Sequence, residues 1–340
     1  MRSFASDNNS GVHPLIMDAL AKANTDHAVG YGDDPWTTEA VEKIREAFTP
    51  DCDVYFVFNG TGSNVMALQS ITRPFNSILC ADTAHIAVDE CGAPAKMTGC
   101  QICTIHTTDG KLTPELIKPY LHGFGDQHHS QPGAIYISQC SELGTIYTPE
   151  EIKAITSLAH ENGMKVHMDG ARLANACTAL HLSLKALTVD AGIDILSFGG
   201  TKNGLMLGEC VVVFDEEAKK YAKFFRKQSA QLASKARYLS CQFTAYLETG
   251  VWLTNAQHAN AMAQKLHDAL GEFLSIRFTQ KAESNQLFMT MPRPLINYLK
   301  EKYFFYEWNE ANNEIRLVTS FDTKVEEIDD LVQTIRAFKK

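Results

Sequence analysis

Three side chains able to do chemistry together close two similar stretches of the chain. Asp169 and Arg172 end the run Lys-Val-His-Met-Asp-Gly-Ala-Arg at 165–172, and Lys202 ends Asp-Ile-Leu-Ser-Phe-Gly-Gly-Thr-Lys at 194–202. Each stretch is a short apolar run, Val166 to Met168 and Ile193 to Phe198, that opens into a polar, Gly-containing turn. Short apolar runs bounded by turn residues are the pattern of buried parallel strands. Open α/β sheets gather their functional groups where the carboxyl ends of such strands meet the loops. An acid, an arginine and a lysine are therefore expected on one rim of one sheet.

Pyridoxal phosphate (PLP) catalysis uses such a set: the lysine forms a Schiff base with the cofactor, and the acid holds a proton on the pyridine nitrogen. Each residue alone has a plainer reading. Lys202 reads as a solvated loop lysine, Asp169 as a turn or cap residue, and Arg172 as one half of a surface ion pair. Their shared position at strand ends is what joins them.

A second such unit supports an anion site. Val54 to Phe58 is an apolar strand that runs into Asn59-Gly60-Thr61-Gly62-Ser63-Asn64 and then a helix with Val65, Met66, Leu68 and Ile71. Free amides and the positive end of a helix face any ligand held in such a turn. A plain tight turn is the alternative, and the dinucleotide glycine pattern is not completed here.

His-Met-Asp-Gly-Ala-Arg at 167–172 and Ser-Phe-Gly-Gly-Thr-Lys-Asn-Gly at 197–204 resemble the motifs of the low-specificity L-threonine aldolase family. That family is PLP-dependent and of the aspartate aminotransferase-like fold, fold type I. The resemblance runs from Ala5-Ser6-Asp7-Asn8 to Ile315-Arg316-Leu317-Val318-Thr319-Ser320. It implies retro-aldol cleavage of L-threonine, L-allo-threonine and related β-hydroxy-α-amino acids to glycine and an aldehyde. Lys202 then bonds the cofactor, Gly60, Thr61 and Gly62 hold its phosphate, Asp169 its ring nitrogen and Arg172 its phenolic oxygen. His85 stacks on the ring. Arg237 lies near the phosphate, and Ser6, Tyr31, Arg172 and Arg316 serve the substrate. One branch of the family has a histidine where this chain has Glu142, so the general base is left between His85 and Glu142. Glu142 as a residue that merely orders its loop also stays open. The resemblance further implies a homodimer or a dimer-based homotetramer with sites completed across an interface. Another PLP lyase of the same fold, such as a β-eliminating enzyme, and a silent PLP-binding protein are the rival readings.

The rest of the composition narrows the field. The net charge of −9 argues against nucleic-acid and anionic-membrane surfaces. No apolar run is long enough to span a bilayer, and no signal peptide is read at Met1–Gly11. Nine cysteines without framework spacing suggest reduced thiols and a cytoplasmic protein. Cys100 and Cys103, formally C-x-x-C, sit in a strand-like run and read as packing; His128-His129 reads as a polar loop, and no metal site is expected.

These residues need a frame to position them. Helix-then-strand alternation through residue 214 predicts an α/β, doubly wound sheet. Thr148-Pro149-Glu150-Glu151 is a capping box that opens one of its helices. Cys210–Phe214 is expected to return antiparallel after the Asn203-Gly204 turn, and Lys219–Tyr238 to form one helix. Beyond about residue 250 a long helix, Trp252–Leu274, precedes strands at 276–278, 286–291, 303–308 and 314–319, and a second box at Thr323–Glu326 opens a last helix. The expected division is a PLP-binding large domain at 1–249 and a smaller α+β domain at 250–340.

Overall fold

The computed structural model describes residues 2–338. Its centre is a seven-stranded sheet. From edge to edge the strands are Asp53–Val57, Glu209–Val213, Ile195–Gly199, Lys165–Gly170, Gln131–Ser138, Asn76–Ala81 and Gln101–Ile105. Only Glu209–Val213 runs against its neighbours. The inner strands are rich in Val, Ile and Leu and buried on both faces, as a sheet covered on both sides requires.

Local chemistry sets the helices that flank it. Thr148 and Glu151 form the expected reciprocal cap: Glu151 N–H donates to Thr148 Oγ1 and Thr148 N–H to Glu151 Oε2. Asp34 caps Pro35–Ala47 by accepting from Thr37 N–H at 2.8 Å. The helix Gly60–Ile71 is buried from Gly62 through Ser70, because its small and apolar residues lie all round it. It crosses the strands that carry Asp169, Lys202 and Glu209.

A second, smaller core forms around a four-stranded antiparallel sheet. Its order is Tyr306–Asn309, Glu314–Val318, Gln286–Thr290 and Arg277–Phe278. Helices Val251–Leu270 and Val325–Ala337 supply Leu266, Leu270, Ile328 and Leu331 to this core. The N-terminal segment crosses over to it. Arg2–Ser3 pairs in parallel with Tyr303–Phe304, and Phe4 is buried among the small-core residues.

Four local expectations are corrected. Lys219–Tyr238 is not one helix: Glu216–Gln228 ends, Ala230 turns into the left-handed region at φ 60°, and a new helix begins at Arg237. The break lets Gln231 turn its side chain back to accept from Phe58 N–H at 2.9 Å. The stretch 303–308 is two short strands separated at Phe305, which is drawn into the small core. The last helix is capped one residue later than expected. Glu327 accepts from Lys324 N–H, and the Thr323 hydroxyl accepts from Ser320 N–H instead. The long helix ends at Leu270 rather than Leu274, and Leu274 is almost fully exposed.

The Lys202 turn is pressed close to the Asp169 turn. A Cβ built on Gly199 would lie 2.6 Å from Ala171 Cα, which is backbone and cannot swing aside. Gly199→Ala is expected to cost about 1–3 kcal/mol or more by overpacking. A urea denaturation midpoint equal to that of the wild type would show that the two turns are not in contact.

Candidate active site

The carboxyl ends of the parallel strands open onto one cavity of about 430 Å³. Its walls carry Asn59, Gly60 and Thr61 from one strand–helix turn, His85 from another, Asp169 and Ala171 from a third, and Thr201 and Lys202 from a fourth. Asn64, Ser197 and Glu209 close it. The stretches that end at Asp169 and at Lys202 therefore meet.

Asp169 is 8% exposed at the end of its strand. Its Oδ2 accepts from Tyr136 Oη at 2.7 Å and from Asn64 Nδ2 at 3.0 Å, and its Oδ1 from Ala171 N–H at 2.9 Å. Burial pushes its pKa up, but the Lys202 charge and the bonds from Tyr136 and Asn64 outweigh burial and hold it below the ordinary value. Asp169 is thus an ionised carboxylate shielded from water. Behind it, burial depresses the His167 pKa to about 4, so this neutral imidazole pairs with Ser197 Oγ and adds no charge.

At the anion turn, Asn59 caps the helix by accepting from Gly62 N–H at 2.8 Å. The amides of Gly60 and Thr61 are among the first-turn groups that a helix cannot satisfy internally. A Cβ added to Gly60 meets nothing within 4 Å, whereas one on Gly62 would lie 2.2 Å from Gln231 Cδ. Gly60 and Thr61 face the cavity, and Gly62 is turned inward against Gln231.

His85 Nδ1 pairs with Glu90 Oε1 at 2.7 Å, and the same oxygen accepts from Asn64 Nδ2 at 2.8 Å. Asn64 therefore bridges the His85–Glu90 pair to Asp169. The Glu90 hydrogen bond is the main reason that the His85 pKa is raised, against the effect of burial. Glu142 is placed beside a recess with Thr83, Tyr136 and Ser138. Burial raises its pKa, opposed by the charges of Lys202, Arg172 and His85.

Arg172 is 6% exposed and committed to Asp7, with Nε to Oδ2 at 2.8 Å and an Nη to Oδ1 at 2.9 Å. Asn285 Nδ2 also donates to Asp7 at 3.0 Å. Ser6 caps the short turn that follows it, accepting from Asn8 N–H at 3.1 Å, and Asn8 lines the cavity. Arg316 donates through Nη2 to Ala5 O at 3.2 Å and lies over the Trp308 ring, while its buried Nε has no hydrogen-bond partner among the described residues. Of the expected residues, Ser6, Gly62, Glu142, Arg172 and Arg316 stand outside the cavity lining, and Tyr31 and Arg237 face elsewhere altogether. Tyr31 is 55% exposed with φ 64°, and Arg237 donates to the carbonyls of Thr25 and Asp26 beside a different cavity.

Asp7, Asn64, Glu90, Tyr136 and Glu209 are site residues that the sequence reading did not single out for this role. They join the site through contacts that range in sequence separation from 5 residues for Glu90 with His85 to 165 for Asp7 with Arg172. Only Asn64, in the helix opened by the anion turn, carried a local signal.

The arrangement is that of a PLP-dependent lyase. A family model described as Beta-eliminating lyase matches residues 3–292, and the chain belongs to that family. It is 39% identical to the low specificity L-threonine aldolase of Pseudomonas sp. (strain NCIMB 10558), covering 99% of this chain and 97% of the relative. The low specificity L-threonine aldolase of Pseudomonas aeruginosa is 37% identical over 98% and 97%. Among solved structures, threonine aldolase of Leishmania major matches with a TM-score of 0.93 at 31% identity, covering 99% of both chains. The fold is that of a fold-type I PLP enzyme, and PLP is its cofactor.

The residues present fit that cofactor. An ionised, dry carboxylate suits a pyridinium nitrogen, unsatisfied first-turn amides suit a phosphate, and a lysine stands on the same wall. Replacing Glu90 with Gln removes the main cause of the raised His85 pKa. The His85 ring should then titrate at lower pH by NMR, and an unmoved titration would break the proposed link. A raised folded value means that the pair's stabilisation is complete below the ordinary histidine pKa and is lost as pH climbs through the raised one. The variant should lose that slope.

Proposed function

We propose that this chain is an aldolase that cleaves L-threonine, L-allo-threonine and related β-hydroxy-α-amino acids to glycine and an aldehyde. The observation that carries the reading is the buried, ionised Asp169 opposite Lys202 in a single cavity, in a chain so similar to L-threonine aldolases over its whole length. PLP, when bound, supplies the sink for the electron pair released as the Cα–Cβ bond breaks.

The chain's own residues do the rest. Asp169 keeps the ring nitrogen protonated, because its desolvated charge favours a cation beside it. Lys202 would be the residue that holds the cofactor covalently. Gly60 and Thr61 hold the phosphate. Arg316, with Ser6 beside Ala5, takes the substrate carboxylate; the unpartnered Nε supports this assignment. Arg172, fixed by Asp7, would serve the cofactor's phenolic oxygen. His85 covers the ring and removes the β-hydroxyl proton, with Glu90 holding its Nδ1 and the negative field of Glu142 favouring the imidazolium that results.

The test is acetaldehyde and glycine formation from L-threonine with added PLP. Wild type should give the two in equal amounts, Lys202→Ala none, and Asp169→Ala at least about a hundredfold less. Normal turnover by Asp169→Ala would remove the electron sink from the reading. Ammonia and a keto acid as products would instead point to β-elimination, which the name of the matching family keeps in view.

The reading extends to assembly and place. Tyr31 and Arg237, expected at a site but turned away from their own cavity, suit a homo-oligomer, dimer or dimer-based tetramer, in which each chain completes its neighbour's site. The exposure of Val29 and Tyr31 supports the same view. Nine free cysteines support a cytoplasmic setting. Co-expressing Lys202→Ala with Arg237→Ala should restore activity that neither variant shows alone; no recovery in a mixed oligomer would place Arg237 outside the neighbour's site.

A further inference from the structure

Glu209 is the one acid on the cavity wall that the proposed reaction leaves without a task. It begins the antiparallel strand that lies between the strand of the anion turn and the strand of Lys202. It is paired in register with Val57 on one side and Gly199 on the other. It is 8% exposed and lines the cavity together with Gly60, Thr61 and Lys202. Its Oε2 accepts from Gly200 N–H at 2.9 Å, which ties it to the backbone two residues before Lys202. One carboxyl thus touches the lysine turn while sharing a wall with the turn that receives a phosphate.

A carboxylate at that place is at odds with a phosphate, since two anions in a desolvated cavity repel each other strongly. The groups whose charge reaches it are few. Lys202 stands on the turn after one neighbouring strand and Asp169 at the end of the next. Tyr246, from the helix Arg237–Glu248, and its chain neighbour Cys210 also feel it, and both are neutral at physiological pH because burial raises their pKa values. The strand Asp53–Val57 faces it with Val57, which does not titrate. Lys202 is the only cation among these groups, and its charge is shared with Asp169, Asp7 and Glu142.

We propose that Glu209 is a positioning residue which, in its protonated form, holds the Lys202 turn and admits the phosphate of the cofactor, so that PLP binding is linked to proton uptake at this carboxyl. The proposal rests on the PLP reading above. As an uncharged acid, Glu209 keeps its bond from Gly200 N–H and can offer its own O–H to the cavity; as a carboxylate it repels the ligand. Burial already pushes its pKa up to about 7 before any phosphate enters, which puts the change within the working range of the protein. The sign follows. Below about pH 7 the group is neutral in both free and bound protein and costs nothing. Above it, binding must return a proton, and affinity falls by up to about tenfold per pH unit until the pKa of the bound state is reached.

The experiment measures the Kd of PLP for the purified full chain by quenching of tryptophan fluorescence from pH 6 to 9, for wild type and Glu209→Gln. Other titrating groups contribute to both proteins, so the difference reads Glu209. The expected result is that wild-type Kd rises up to about tenfold more per pH unit above 7 than that of Glu209→Gln, which keeps the acceptor but not the charge. At pH 9 the variant should bind more tightly than wild type. Parallel curves overturn the proposal while leaving the cofactor reading intact. Absence of saturable PLP binding by wild type overturns both. If Glu209→Gln does not fold, Glu209→Ser, a smaller uncharged acceptor, gives the same comparison.

Discussion

The site depends on keeping one carboxylate charged where water cannot reach it. Moving such a group out of water costs several kcal/mol, and left alone Asp169 would take up a proton. The charge of Lys202 prevents this together with three donors: Tyr136 from the neighbouring strand, Asn64 from the helix behind the anion turn, and the Ala171 amide of its own turn. Each is fixed by structure that serves another purpose. The buried helix is anchored by its cap at the anion turn, Tyr136 lies in the middle of a central strand, and the Ala171 turn is pressed against Gly199. Loosening any of these elements therefore acts on the charge of Asp169 as well as on packing.

The same constraint organises the other titratable groups. Asn64 divides its two N–H bonds between Asp169 and Glu90, and Glu90 divides one oxygen between Asn64 and His85. His85 and Asp169 are thus held by one connected set of hydrogen bonds. In such a network, deletion of one member leaves the others with unsatisfied buried groups. Opposite it, Asp7 holds Arg172 and Ala5 holds Arg316, so the two guanidinium groups are fixed by successive parts of one short segment.

How much of this was legible in the sequence follows from the range of the forces involved. The strands ending at Asp169 and Lys202, the Asn59–Gly62 turn and the Thr148–Glu151 cap are local patterns, and the sequence shows them directly. The antiparallel return at 210–214 was legible too, since the short connection after Lys202 leaves no room for a crossover helix. The break after Gln228 was not. The helical pattern continues through Lys235, and what ends the helix is the demand of Gln231 for Phe58 and Gly62, some 170 residues away. Asp7 was hidden for the same reason: nothing within a short window marks it as the partner of Arg172. Glu209 reads locally as the polar start of an apolar strand, and only the sheet order places it between the two turns.

The segment from Arg2 to Asp7 joins residues at opposite ends of the chain. Its strand pairs with Tyr303–Phe304, Phe4 enters the small core, Ala5 binds Arg316 and Asp7 binds Arg172. These contacts span up to 311 residues of sequence. On a ribosome, that segment emerges long before Tyr303–Phe304 and Arg316 exist, so the large sheet can assemble while the segment still lacks those partners. Closure of the site is then among the last events of maturation. The segment that holds both arginines does not reach its final place until the small sheet has been made and docked, which couples the two cores late in folding.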